Sequence, residues 1–289
     1  MSPAPFLQNT ASRPRNPRNP REKNRKGAAH FRRAPPYGCA LPRAERAMSQ
    51  AEQLSNKITQ SLLYEIRYGE FSDQDTLPPE VDLAERFGVS RNIVRECLTK
   101  LEREGWISRK RGVGTVINRI VVRAETRIDL NYELLKTLEM AGHSASSRLV
   151  SISFVPADAK LAQKLEISEG DPVMRLPRVI LANEQPCIFC IDYIPGSNIL
   201  TQDWQPEELR YSIYPFMKKR CGCEVEISLT EVRAMPVTEE VAQALRVPLT
   251  SSLLFLSEVG YDFRSRPVLY SEEYMMDGII HHMVVRKKM

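Results

Sequence analysis

The 289 residues hold no uninterrupted apolar run near the roughly 18 residues that a membrane-spanning helix needs, and no apolar leader at the amino terminus. These absences argue against insertion and secretion and lead us to expect a cytoplasmic protein. No H-E-x-x-H segment and no Ser/His/Asp grouping is present, which speaks against metalloprotease and triad hydrolase chemistry. His281 and His282 stand beside a basic carboxyl end and read as surface residues. Six cysteines (Cys39, Cys97, Cys187, Cys190, Cys221 and Cys223) in a chain too long to need staples are expected to be reduced. Cys187-x-x-Cys190 and Cys221-x-Cys223 have spacings at which thiolates can share zinc. The first pair lacks a knuckle glycine, and positions i and i+3 of a strand face opposite sides, so neither a metal nor a cofactor is expected.

Charge is unevenly spread. Residues 1–47 hold 11 Lys/Arg, 2 Asp/Glu and eight prolines with almost no apolar periodicity, the composition of a disordered basic tail. Met48, just ahead of a well-formed helical pattern, is an alternative start of translation. Residues 50–85 carry 2 basic and 8 acidic side chains, and residues 86–119 carry 9 and 3. A small domain polarised in this way presents one basic face, the footprint of a polyanion binder.

Within that domain, residues 48–119, Leu54, Ile58, Leu62 and Ile66 recur every four residues and predict a first helix ending before Gly69. LPPEVDLAERFG predicts a second, short helix with apolar Val81, Leu83, Ala84 and Phe87, closed by Gly88. Ser90 is a good N-cap for a third helix running to about Glu104, with Val94, Leu98 and Leu101 on its buried face. Trp106 and Ile107 open a hairpin whose tip is Arg109-Lys110-Arg111-Gly112-Val113-Gly114, and Thr115 to Ile117 return. The tip lacks the Lys-Ser/Thr ending of a phosphate loop.

Three helices and a basic hairpin describe a winged helix-turn-helix. In that arrangement Ser90, Arg91, Asn92 and Arg95 at the start of the third helix reach base edges and phosphates in the major groove, while Lys110, Arg111 and Gly112 form the wing. Over residues 50–119 the sequence resembles the DNA-binding domain of the GntR family of bacterial regulators: L-P-x-E-x-x-L-A, G-V-S-R-x-x-V-R-E and a G-x-G-T wing stand in order. The resemblance implies that these same residues contact DNA. Val81 stands where the family usually carries arginine, so one contact is expected to be lost.

Residues 121–289 hold 19 basic and 23 acidic side chains and do not suit DNA. They contain an internal repeat offset by 80: Gly142 aligns with Gly222, Ala162-Gln-Lys-Leu165 with Ala242-Gln-Ala-Leu245, and Arg178 with Glu258. Each unit reads helix, Gly, strand, short helix, strand, turn, strand. Hairpins at Ala182 to Pro186 and Arg264 to Pro267 predict an antiparallel sheet with helices on it, an α+β domain with a cleft at a local pseudo-twofold. Residues 120–128 (IVVRAETRI) are the expected linker.

This half, residues 129–289, resembles the UTRA ligand-sensing domain of the HutC branch of GntR regulators, related in fold to chorismate lyase. GHSASSR, ANEQP, SIYPFM and RPVLYSEEYM carry the likeness. The resemblance implies a small-molecule effector, anionic in the phosphosugar sensors, held by Ser146 or Ser147, Arg178, Ser212 and Tyr214; Asp192 and Tyr270, with Glu273 as the repeat counterpart of Asp192, are further candidates. An anion at a helix start after Ser212 is physically reasonable. Ser212 can equally be a plain cap, Tyr214 a core ring, and Arg178 a partner of Glu258. Ile180, Cys190 and Leu269 replace polar residues of the phosphosugar sensors, so a less polar pocket is expected.

These readings converge on a homodimeric transcription regulator, a repressor rather than an enzyme. It would bind a short inverted repeat of double-stranded DNA in the nucleoid and release it when an effector enters the cleft. Two alternatives stay open on sequence grounds: a lyase-type enzyme, and a carboxyl-terminal half reduced to dimerisation.

Overall fold

The computed structural model describes residues 50–287 except 125 and 202; the basic tail of residues 1–47 and Cys39 lie outside the described residues. The order of elements follows the sequence pattern closely. Helix α1 (Gln50–Tyr68) buries Ile58, Leu62 and Ile66, whereas Leu54, at the same spacing, is 38% exposed. Helix α2 (Glu80–Phe87) begins after Pro79 and ends at Gly88, whose φ of 62° is the left-handed conformation that glycine adopts without strain. Leu83 and Ala84 are its core residues; Val81, expected on the apolar side, is exposed.

Helix α3 (Arg91–Arg103) is capped by Ser90, whose Oγ accepts from the Ile93 N–H at 3.4 Å. Its buried stripe of Val94, Leu98 and Leu101 packs with Phe71, Trp106 and Ile107 in one cluster. The wing is β2 (Ile107–Lys110) against β3 (Gly114–Ile117), and a two-residue strand β1 (Thr76–Leu77), which no sequence pattern announces, adds to β3 on its other edge. Leu77 is buried there, and that apolar contact fixes the short strand.

Residues 120–128 are not a free linker. Helix α4 (Arg119–Val122) buries Val121 and Val122, and β4 (Thr126–Arg127) pairs in parallel with β12 (His282–Met283) near the end of the chain. The sequence expectation missed this because the periodicity of two-residue strands is unreadable and their partner is far away in the chain.

The carboxyl-terminal sheet runs β5-β7-β8-β11-β10-β9, with β6 also on β7. Its first unit comprises α5 (Leu134–Met140), β5 (Ala145–Leu149), β6 (Ser153–Pro156), α6 (Ala159–Leu165), β7 (Pro172–Ala182) and β8 (Gln185–Pro195). The second comprises α7 (Tyr214–Phe216), continued by a π turn at Met217–Cys221, then β9 (Ile227–Pro236), α8 (Glu239–Leu245), β10 (Ser252–Tyr261) and β11 (Pro267–Met276). The two units meet where β8 pairs with β11, which places the pseudo-twofold there.

The repeat extends to its caps. Asp158 accepts from the Leu161 N–H at 2.7 Å, and Thr238, 80 residues on, accepts from Val241 at 3.4 Å. One strand of the first unit is split into β5 and β6 while β9 is continuous. Pro177, which has no N–H for the ladder, stands opposite the split and accepts from Val150 at 2.9 Å. Helices α6 and α8 cover one sheet face around Leu161, Leu165, Val241 and Leu245. On the other face, α5 packs Leu138 with Ile180 and Ile188, while the α7 segment packs Phe216 and Met217 with Met174 and Leu176.

Candidate nucleic-acid interface and effector cleft

The first turn of α3 projects from its core by geometry alone. With Val94, Leu98 and Leu101 turned inward, Ser90, Arg91, Asn92 and Arg95 are left exposed on the opposite side. Arg91, Lys110 and Arg111 make no ion pair or side-chain hydrogen bond among the described residues, and Gly112 is exposed at the wing tip. Arg95 is partly committed, 3.3 Å from Glu80 on α2. Arg109, counted in the basic tip, is committed instead: its guanidinium sits 2.6 Å from Glu102 and donates to Thr99 at 3.2 Å, stapling the wing to α3.

The carboxyl end of α3 is held from the other half of the chain. Arg127, 6% exposed, donates to the Glu104 carbonyl at 2.5 Å and lies 4.8 Å over the Trp106 ring. Lys287 donates to the Glu102 and Arg103 carbonyls at 2.7 and 3.0 Å. These cations satisfy carbonyls that a helix end leaves open and complement its dipole. Arg127 is also bonded to Asp129; burial pushes that carboxyl up, but the Arg127 hydrogen bond and charge hold it below its ordinary value.

A cleft of about 170 Å³ opens on the α5 and α7 face of the sheet, over the pseudo-twofold. Five of the eight residues expected there line it: Arg178, Asp192, Glu273, Ser212 and Tyr214. The other three do not. Ser146 is exposed on β5, and Ser147 is buried, its Oγ without a partner, at the sheet edge by α5 rather than in the cleft. Tyr270 points the other way, since side chains alternate along β11: Leu269, Ser271 and Glu273 face the cleft, while Tyr270 stacks on Tyr193 at 5.7 Å and meets Ser257 at 3.1 Å.

Arg178 pairs with Asp192 at 2.6 Å, not with Glu258 as the repeat alignment allowed, and both are buried. Burial alone would lower the guanidinium's affinity for its proton; the Asp192 charge reverses that and raises it. Asp192 also accepts from Ser271 at 2.7 Å. Ser212 Oγ accepts from the Tyr214 N–H at 3.3 Å, and the Tyr214 hydroxyl reaches Asn131 at 3.4 Å. The helical segment is three residues before its π turn, and the Tyr214 N–H at its start, which an anion would need, is already bonded to the Ser212 hydroxyl.

Ile180, Cys190 and Leu269 line the cleft as expected, and the Cys190 thiol is pushed well up by burial and by Asp192. His282, expected at the surface, lines it too. Both its ring nitrogens are buried without a partner, and burial depresses its basicity. Glu258 and Glu273 complete the floor; burial, then the nearby Glu258 and Asp192 charges, push the Glu273 carboxyl up to about 8. Glu273 was expected there as the counterpart of Asp192, and the alignment of Arg178 with Glu258 could have located Glu258; no local pattern pointed to His282. Among the described residues no three His, Cys, Asp or Glu side chains are grouped to hold a metal, and no helix is long and apolar enough to cross a membrane.

Residues 54–117 match the gntR family of bacterial regulatory proteins, and residues 140–276 match the UTRA domain. The chain is 27% identical over 225 residues to the probable transcriptional regulator PhnF of Escherichia coli (strain K12), covering 76% of this chain and 88% of that protein. It is 25% identical over 205 residues to the HTH-type transcriptional repressor NagR of Bacillus subtilis (strain 168), covering 71% and 83%. The crystal structure of the possible transcriptional regulator YydK from Bacillus subtilis subsp. subtilis str. 168 superposes with a TM-score of 0.66 at 20% identity, over 81% of this chain and 99% of that one. These relatives are regulators of transcription rather than enzymes. With a gntR-type helix-turn-helix ahead of a UTRA domain, the chain belongs to the HutC branch of the GntR family of transcriptional regulators.

Proposed function

We propose that the protein is a homodimeric repressor that binds a short inverted repeat on the cytoplasmic chromosome and releases it when a small molecule fills the cleft. The observation that carries the DNA half is the set of uncommitted cations, Arg91, Lys110 and Arg111, on the exposed start of a capped helix and its wing. Arginine there can donate two hydrogen bonds to guanine, and Asn92 can do the same to adenine. Repression is the role named for NagR and for the Mannosyl-D-glycerate transport/metabolism system repressor MngR of Escherichia coli (strain K12).

The release half rests on the β4–β12 pair. Arg127, Asp129 and His282 line the cleft, and Arg127 also holds the last turn of α3 through Glu104. A ligand that rearranges this pair changes the orientation in which α3 is presented, and one that prefers the DNA-incompetent arrangement shifts the population by that difference in affinity. Selection of duplexes from a random pool, followed by titration, tests the reading. Wild type should select an inverted repeat, and Arg91→Ala should weaken its binding by about 1–3 kcal/mol, the range for one bidentate base contact. An unchanged affinity would remove α3 from the interface.

A further inference from the structure

The effector class follows from which charges in the cleft are already satisfied. Two cations line it. Arg178 is 2.6 Å from Asp192, and Arg127 is bonded to Asp129 and to the Glu104 carbonyl. On the same floor Glu258 and Glu273 have no cationic partner among the described residues; Glu258 meets only the Thr230 hydroxyl, at 2.5 Å. Of the hydroxyls expected to help hold an anion, Ser212 accepts from the Tyr214 N–H and has only its single O–H left to offer, and Ser147 lies outside the cleft. An anionic group would therefore meet two acidic side chains, one of them already held largely protonated by burial and its neighbours' charges, and no cation free to balance it, at a site where burial strengthens both the attraction and the repulsion.

Unmet hydrogen-bonding capacity marks the same place. Arg178 is 5% exposed and its Nε has no acceptor; His282 has two unpartnered nitrogens. Buried polar atoms left this way are costly unless something outside the protein completes them. At about 170 Å³ the space lies well below the ~300–1,000 Å³ of drug-sized pockets, which restricts the occupant to a compact molecule.

We infer that the cleft takes a small, cationic amine whose ammonium group sits between Glu258 and Glu273, with a hydroxyl or carbonyl oxygen to accept from Arg178 Nε. This deepens the effector reading above and rests on it. The ammonium donates to both acidic groups and by its charge draws Glu273 back to the carboxylate, and the Arg178–Asp192 pair stays intact as the floor.

The test is thermal unfolding of the full chain against amine and neutral partners of equal size: ethanolamine with ethylene glycol, putrescine with butanediol, and glucosamine with glucose. Inorganic phosphate serves as the anionic probe. At least one amine should raise the unfolding temperature where its neutral partner does not, and phosphate should leave it unchanged. Glu258→Gln and Glu273→Gln, which keep shape and remove charge, should each weaken that response about tenfold, with Glu207→Gln on the exposed surface as the control without effect. Stabilisation by phosphate that is lost in Arg178→Lys would overturn the inference, and so would a response to none of the amines. Binding of the selected duplex is measured separately: an amine that binds the cleft without altering DNA affinity leaves the ligand class standing and removes the effector role.

Discussion

In the first repeat unit the cleft-facing residues on adjacent strands are Arg178 and Asp192; at the corresponding points of the second unit stand Glu258 and Glu273. The backbone is duplicated down to the helix caps at Asp158 and Thr238, yet one unit pairs its acid with a cation and the other sets two acids side by side without one. A repeated fold fixes where side chains project, because strand alternation is common to both copies. It does not fix their chemistry. On the proposal above, the paired unit forms the floor and the unpaired acids of the other select the ligand.

The largest effect expected from breaking this comparison comes from Arg178→Ala. Removing one partner of a buried ion pair leaves Asp192 uncompensated and should destabilise the protein by about 3–5 kcal/mol, read by chemical denaturation. Glu258→Ala, the repeat counterpart, should cost far less or nothing, since it removes a charge that has no opposite partner.

Glu273→Gln sharpens the comparison through pH. The folded carboxyl is raised from 4.5 to about 8, so the native state favours the protonated form. The stability this group contributes is full below the unfolded value and is lost as pH rises toward 8. Glu273→Gln should therefore match wild type near pH 4.5 and exceed it at pH 9, by about 3 °C in unfolding temperature for each kcal/mol of relieved repulsion. A difference independent of pH would show that the carboxyl ionises normally. A smaller effect is expected from Ser90→Ala, which removes the N-cap of α3 and should cost about 1 kcal/mol with DNA affinity falling in parallel.

Arg127 bears on how the cleft and α3 communicate. Arg127→Met, which keeps the stem over Trp106 and removes the bonds to Glu104 and Asp129, should preserve ligand binding while reducing its effect on DNA affinity several-fold. Unaltered coupling in that variant would place the communication elsewhere.

Much of this molecule was legible in its sequence because local chemistry and global fold agree. Ser90, Gly88, Gly142 and Gly222 end or begin helices for reasons visible at one position, and the offset of 80 announced the paired units. The cleft was legible only in part. Tyr270 sits next to the cleft-facing Leu269 and Ser271 in sequence, but a single step along a strand reverses the face. Ser147 shares the face and lies at the edge strand, a distinction that depends on the placement of α5. The β4–β12 pair and the half-buried His282 were out of reach, since short strands joined across the length of the domain leave no periodic trace. The partner of Arg178 could not be chosen from alignment, because the strand order that puts Asp192 on β8 beside β7, and Glu258 on β10 beyond β8 and β11, is not visible in the repeat.

The central claim is that the exposed start of α3 and its wing read DNA, and fluorescence anisotropy with a selected duplex across a salt series tests it most directly. The account predicts that wild type prefers the selected duplex over a scrambled one by roughly 10³-fold or more, that log affinity falls linearly with log salt, and that Arg91→Ala loses most of the preference. Equal affinity for both duplexes, or binding indifferent to salt, would contradict it.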